Sequence, residues 1–235
     1  MDPLLISAAS GLKARIESLD LIANNLANTG TAGFKSDQEF YGLFNQELPG
    51  LEKQWTDYTQ GALVPTGNPL DLGLSGKGFL ALNSPAGTVY TRNGEIQISK
   101  SNQLQTSEGY TLRNARDGGK PITIDPSKAI DVSKDGVIRQ GGQEIAQIEV
   151  AGIDSASQVL NKLGNSYFAL LQPAGANPAM DTEIRQGTLE QSNVPVADAA
   201  VRLVGVMRQF EMLQKALTVG ADMNKQAIEE VAKVS

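Results

Sequence analysis

Four aspartates, Asp71, Asp125, Asp131 and Asp135, are the residues of this sequence whose type best suits holding a cation or sharing a proton. Two carboxylates at close range split their pKa values and can do general acid–base work. Their spacing does not fit an EF-hand loop, and Asp is common in β-turns, so turn roles are expected. Gly76-Lys77-Gly78-Phe79 has the composition of a phosphate loop. It lacks the full Gly-x-x-x-x-Gly-Lys-Ser/Thr spacing and no helical pattern follows it, so it reads as a turn or bulge. The 235 residues include no His and no Cys. That removes the commonest general base near neutral pH, thiolate nucleophiles, Cys-based zinc sites and disulfides. No catalytic, cofactor or metal site is expected, and the chain does not read as an enzyme.

Hydrophobic residues make up 40% of the chain but aromatics only 5%, which suits a modest aliphatic core. The 24 glycines imply many tight turns. A net charge of −6 without a basic stripe argues against a nucleic-acid partner. The start, Met-Asp-Pro-Leu-Leu-Ile-Ser-Ala-Ala-Ser, has no basic n-region, so no cleaved signal peptide is expected. No apolar run is long enough to span a bilayer, so no direct membrane insertion is expected.

The elements that would carry any function fall into four stretches. In residues 1–33, Leu5, Ala9, Leu12, Ile16, Leu19, Ala23 and Leu26 recur at alternating steps of four and three. That is a coiled-coil seam, started by Asp2-Pro3 and stopped by Asn28-Thr29-Gly30. Residues 34–61 read as a linker, with a short helix conceivable over 36–48 and with Trp55 and Tyr58 as packing or interface anchors. Residues 62–186 read as β: short apolar runs such as Phe79–Leu82, Ile122–Ile124 and Val137–Arg139 lie between turn signals such as Asn93-Gly94 and Asp135-Gly136. Residues 187–235 carry a second seam through Leu203, Val206, Phe210, Leu213, Leu217, Ala221, Asn224, Ile228 and Val231. Gly205 and Gly220 weaken that helix but permit close approach. The expected fold is mixed α and β: terminal coiled-coil-forming helices flanking an all-β central domain, an antiparallel barrel or sandwich. Arg92 and Arg208 could each pair with a carboxylate, and the sequence does not choose which.

Several of these segments resemble the bacterial flagellar basal-body rod and hook proteins. Ala23-Asn24-Asn25-Leu26-Ala27-Asn28, followed by Thr31-Ala32-Gly33-Phe34-Lys35, is similar to the family's N-terminal signature. Gly187-Thr188-Leu189-Glu190-Gln191-Ser192-Asn193-Val194 resembles its C-terminal entry motif, and Met207-Arg208-Gln209-Phe210-Glu211-Met212 continues it. Thr66-Gly67-Asn68-Pro69-Leu70-Asp71-Leu72, Gly76–Phe79 and Tyr90-Thr91-Arg92-Asn93-Gly94 resemble its β domain. Within the family the chain looks most like the proximal rod protein, because the stretch from Phe34 to Thr66 lacks a long insertion; the distal rod is the alternative.

The resemblance implies a structural subunit of the periplasm-spanning rod, transmitting torque. It implies export through the flagellar type III apparatus, and helical hetero-assembly with other rod and hook proteins as partners. Terminal helices would form the inner tube and be loosely ordered before assembly. The expected assembly interface is Leu5, Leu12, Ile16, Leu19, Asn24, Asn25, Leu26, Asn28, Leu203, Phe210, Leu213, Leu217 and Ile228. The asparagines would satisfy backbone groups where helices of neighbours meet. Two other classes compete: a β-domain binding module dimerised by its helices, and a carboxylate enzyme such as a glycosidase.

Overall fold

A computed structural model of the chain describes residues 3–42, 50–153, 160–164, 166–171, 177–179 and 181–234. The chain divides into two compact units. A helical unit comprises Met1–Ala27, Asp37–Trp55 and Pro195–Ser235, and a β unit comprises Asn28–Ser36 and Thr56–Val194.

The helical unit holds α1 (Pro3–Ala27), α2 (Val196–Val234) and the two-stranded sheet of β1 (Asp37–Gly42) and β2 (Gly50–Thr56). Pro3 opens α1, where its missing N–H is harmless. α1 packs against α2 and against β1. The short helix conceivable over 36–48 is absent where it can be seen: 37–42 is strand, and 43–48 lie outside the described residues. A side chain of α1 decides this locally. The Asn25 carboxamide accepts from Asp37 N at 2.9 Å and donates to Asp37 O at 2.7 Å, holding that backbone extended.

The β unit contains β3 (Leu63–Pro65), β4 (Leu72–Ser75), β5 (Gly78–Ser84), β6 (Gly87–Thr91), β7 (Gln97–Ile98), β8 (Leu104–Gln105), β9 (Thr111–Leu112), β10 (Ile130–Val132), β11 (Val137–Gln140) and β12 (Gln143–Gln147). It continues through β13 (Val150–Gly152), β14 (Leu160–Leu163), β15 (Tyr167–Leu170), β16 (Asn177–Pro178), β17 (Glu183–Gln186) and β18 (Thr188–Glu190). The main sheet runs β14-β15-β6-β5-β9-β8-β7, with β13 and β16 joined beside β5. Smaller sheets pair β10-β11-β12, β4-β17 and β3-β18. All registered pairs in the unit are antiparallel. Among the described residues no sheet closes on itself, so the barrel expectation is corrected: the main sheet ends in the free edges of β14 and β7.

β5 sits between two cores because its side chains alternate faces. Leu80 and Leu82 enter a core of Leu72, Leu74, Leu104, Leu112, Ile122 and Ile138, while Phe79 and Ala81 enter a second core with Tyr90, Leu160 and Phe168. In the second core Tyr58 packs 6.0 Å from Phe79 and 5.4 Å from Phe168, ring centre to ring centre. Tyr58 is thus an intramolecular anchor, whereas Trp55 is 39% exposed. The turn expected at Asp135-Gly136 is present, with Gly136 at φ 80° and its N–H donating to Ser133 O at 2.9 Å. The Ile122–Ile124 run forms only an isolated bridge, Gln103 to Thr123, because both its isoleucines are drawn into the first core.

Candidate assembly site

The four aspartates are not brought together. Asp71 is buried and accepts from Thr66 Oγ1 at 2.6 Å and from Asn68 Nδ2 at 2.8 Å, as a turn residue does. Asp125 accepts from Ser127 and lies beside Lys128. Asp131 and Asp135 are exposed. Gly76 to Phe79 leads into β5, not into a helix.

The motif segments instead meet in a buried ionic cluster of the β unit. Lys35, Arg92 and Glu190 are 0%, 2% and 1% exposed. Glu190 Oε1 accepts from Lys35 Nζ at 2.6 Å and from Gly61 N at 2.9 Å, and Oε2 accepts from Arg92 Nη1 at 3.0 Å. Lys35 Nζ also donates to Thr59 O at 2.6 Å, and Arg92 Nη2 donates to Gly76 O. The Arg92 guanidinium lies 5.0 Å over the Phe79 ring. Two cations therefore share one carboxylate. Burial pushes the pKa of Lys35 and of Arg92 down, with Glu190 opposing it in each case. Desolvation outweighs the attraction of half a counter-ion.

The backbone around this cluster is equally committed. Gly33 N donates to Glu190 O at 2.7 Å. Asn193 accepts from Ser36 N at 2.8 Å and donates to Asp57 O at 2.8 Å, so one side chain ties three chain segments. Lys162 donates to Lys35 O at 2.8 Å and lies 4.2 Å over the Phe34 ring. The signature residues Gly33-Phe34-Lys35 and the entry-motif residues Glu190 and Asn193 thus hold one another within the chain. The sequence alone names no partner for Arg92 and does not set Lys35, Glu190 or Asn193 apart from their neighbours. Their only signal was a charged or amide residue inside each motif.

The expected seam residues are treated differently on the two helices. On α2, Leu203, Val206, Phe210, Leu213, Leu217, Gly220 and Asn224 are half-buried, and Leu213 Cδ1 comes within 3.6 Å of where a Gly11 Cβ would stand. On α1 the buried face is Gly11, Ala14, Ser18, Ile22 and Asn25. Leu12, Leu19 and Leu26 are half-buried, Ile16 is 45% exposed, and Asn24 is exposed. The Leu/Ile stripe lies roughly a third of a turn away from the buried face. Small residues at Gly11, Ala14 and Ser18 let neighbouring backbone come close, and Ser18 Oγ donates to Glu39 Oε1 at 2.6 Å. Asn28 is buried and accepts from Thr31 Oγ1 at 3.2 Å. The side chains of Leu5 and Ile228 lie outside the described residues.

α2 carries a second apolar stripe on its open side. Val201, Met212, Val219 and Met223 are 73%, 62%, 57% and 65% exposed, with Gly205 and Ala216 between them. At about 1.5 Å per residue, α2 with 39 residues is also much longer than α1 with 25. α1 therefore cannot cover it along its whole length.

Asn25→Ala removes both bonds to Asp37 and is expected to destabilise the helical unit by about 1–3 kcal/mol. Trp55, the chain's only tryptophan, belongs to that unit, so its fluorescence in a urea titration reads the loss.

Three family models match the chain in sequence order. The flagella basal body rod protein model matches residues 5–35, the flagellar hook protein FlgE/F/G D1 domain 73–140, and the flagellar basal body rod FlgEFG protein C-terminal model 185–230. The buried cluster draws one residue from each: Lys35, Arg92 and Glu190. The chain is 29% identical to the flagellar basal-body rod protein FlgF of Caulobacter vibrioides and 29% to that of Mesorhizobium japonicum, with 100% of both chains covered in each case. It is 29% identical to the flagellar basal-body rod protein FlgG of Caulobacter vibrioides, covering 93% of this chain and 95% of the relative. With matches to both ends and the β unit, and relatives aligned end to end, the chain belongs to the flagellar basal-body rod protein family.

Proposed function

We propose that this chain is a structural subunit of the flagellar basal-body rod, of the proximal kind, which assembles with other rod and hook proteins through its two helices. The observation that carries the reading is the pair of uncovered apolar stripes. α1 leaves Leu12, Ile16, Leu19 and Leu26 partly open, and α2 leaves Val201, Met212, Val219 and Met223 open. Fully burying one such side chain is worth roughly 1.5–3 kcal/mol, so neighbouring subunits that cover both stripes gain stability with each addition. A contact between unlike faces does not close and so builds a helix. Seam packing of a coiled-coil kind, with α1 against α2 in one subunit and both against neighbours, would carry torque through many helices in parallel. Export through the flagellar type III apparatus belongs to the same reading.

Support for the proximal kind comes from alignment length. The match to the Caulobacter FlgF covers 100% of this chain in 249 positions, whereas that to the Caulobacter FlgG needs 260 positions to cover 93%. The FlgG comparison leaves more positions unmatched by this chain, as expected if the distal-type insertion is missing.

The test is a pair of charges on the open stripe. Met212→Glu with Val219→Glu alters exposed positions, where substitutions change stability by only about 0.5 kcal/mol. The purified variant should keep its urea midpoint, yet fail to restore swimming to a strain lacking the protein. Normal swimming with the variant present in isolated basal bodies would overturn the reading. A discrete dimer in solution that the same variant dissociates, with no place in basal bodies, would favour the binding-module alternative.

A further inference from the structure

The residues around Glu190 are where the chain crosses between its two units. It leaves the β unit after Ser36, re-enters at Thr56 and leaves again after Val194. Ser36 and Asp57 are joined by Asp57 N donating to Ser36 O at 2.8 Å, and Asn193 binds both. Gln191 N donates to Ala62 O at 2.8 Å, and β18 pairs with β3. The crossing segments are fastened to one another by these bonds, and to the rest of the β unit through Tyr58 in the second core, Gln60 Nε2 donating to Leu74 O at 3.2 Å and Lys162 donating to Lys35 O. Their polar anchor is a single carboxylate shared by two buried cations, 155 residues from Lys35 and 98 from Arg92 along the chain. The first apolar core, on the Leu80 and Leu82 face of β5, is built from other residues.

We propose that residues 33–36, 57–63 and 188–193 form one cooperative latch, keyed by Glu190, which opens and closes as a unit on a β core that stays folded. Removing Glu190 from the cluster leaves two buried cations without a counter-ion, so the three segments cannot stay closed piecemeal. The latch cannot close until the C-terminal segment is present, so residues 33–36 stay loose on a chain that emerges from its N-terminus first. The inference stands on contacts inside the β unit and goes beyond the assembly reading, whose failure would leave it untouched.

Native-state hydrogen exchange of the full chain in rising, sub-denaturing urea tests it. The amides of Gly33, Ser36, Asp57, Gly61 and Gln191 should converge on one shared opening. Its free energy and urea dependence should lie below those of the core amides Ala81, Leu104, Arg113 and Ile122. In Glu190→Leu the latch amides should exchange at least about 100-fold faster, while the core amides remain protected. Latch amides that merge with the core opening, or that open independently of one another, would overturn the proposal. So would a single joint opening of both sets in a Glu190→Leu variant that folds. If Glu190→Leu does not fold, the wild-type measurement decides alone.

Discussion

Glu190→Ala is expected to lower the stability of the β unit by about 3–5 kcal/mol, or by the full free energy of closing the latch where that is smaller. Removing one partner of a buried ion pair leaves an uncompensated charge, and here it leaves two, on Lys35 and Arg92. It also strips Gly61 N of its acceptor. Four of the five tyrosines, Tyr58, Tyr90, Tyr110 and Tyr167, lie in the β unit and Tyr41 lies in the helical unit, so near-ultraviolet tyrosine signals in a urea titration of a Tyr41→Phe background report on the β unit. The triple variant Lys35→Met, Arg92→Leu, Glu190→Leu should recover part of the loss. A buried ion cluster replaced whole by apolar side chains is often neutral in stability. Recovery stays incomplete because Gly76 O and Gly61 N would lose these bonds and Thr59 O would keep only Asn193 as a donor. An unchanged midpoint in Glu190→Ala would show that the cluster contributes nothing, and strictly additive losses would show that the carboxylate is not shared.

Gly33→Ala is the second large effect, with an expected loss of more than about 2 kcal/mol in the same titration. Gly33 sits at φ 66°, and a Cβ there would stand 2.2 Å from the Arg92 carbonyl carbon and 2.3 Å from Asn93 N. Backbone, not a flexible side chain, is in the way, so relief requires moving the signature segment off the Arg92-Asn93 turn. Gly205→Ala provides the opposite sign. Gly205 lies in α2 with open space around its missing Cβ, and alanine there should stabilise the free helix by about 1 kcal/mol. Equal effects at the two positions would show that helix propensity and backbone crowding had been assigned wrongly.

The linker shows why some of the fold was hidden in the sequence. Asp37–Gly42 has neither a clear period of two nor one of 3.6 residues, and its strand form rests on Asn25 from a separate element and on pairing with β2. Tyr58 reads equally well as an interface anchor, and only the rings of Phe79 and Phe168 make it a core residue.

By itself the sequence determined the two helices, the short strands between turn residues, the absence of His and Cys and the family motifs. Each of these is a local property, set by spacing, backbone preference or residue type. The tertiary structure alone decided which helix face is covered and which ion meets which. A periodic apolar stripe says that a helix has something to bury and not what buries it. α1 turns the small residues Gly11, Ala14 and Ser18 inward and leaves its Leu/Ile stripe partly open. Likewise, charge on Lys35, Arg92 and Glu190 is visible in the chain. Their meeting depends on segments brought together from 155 residues apart, a closure that no local signal encodes.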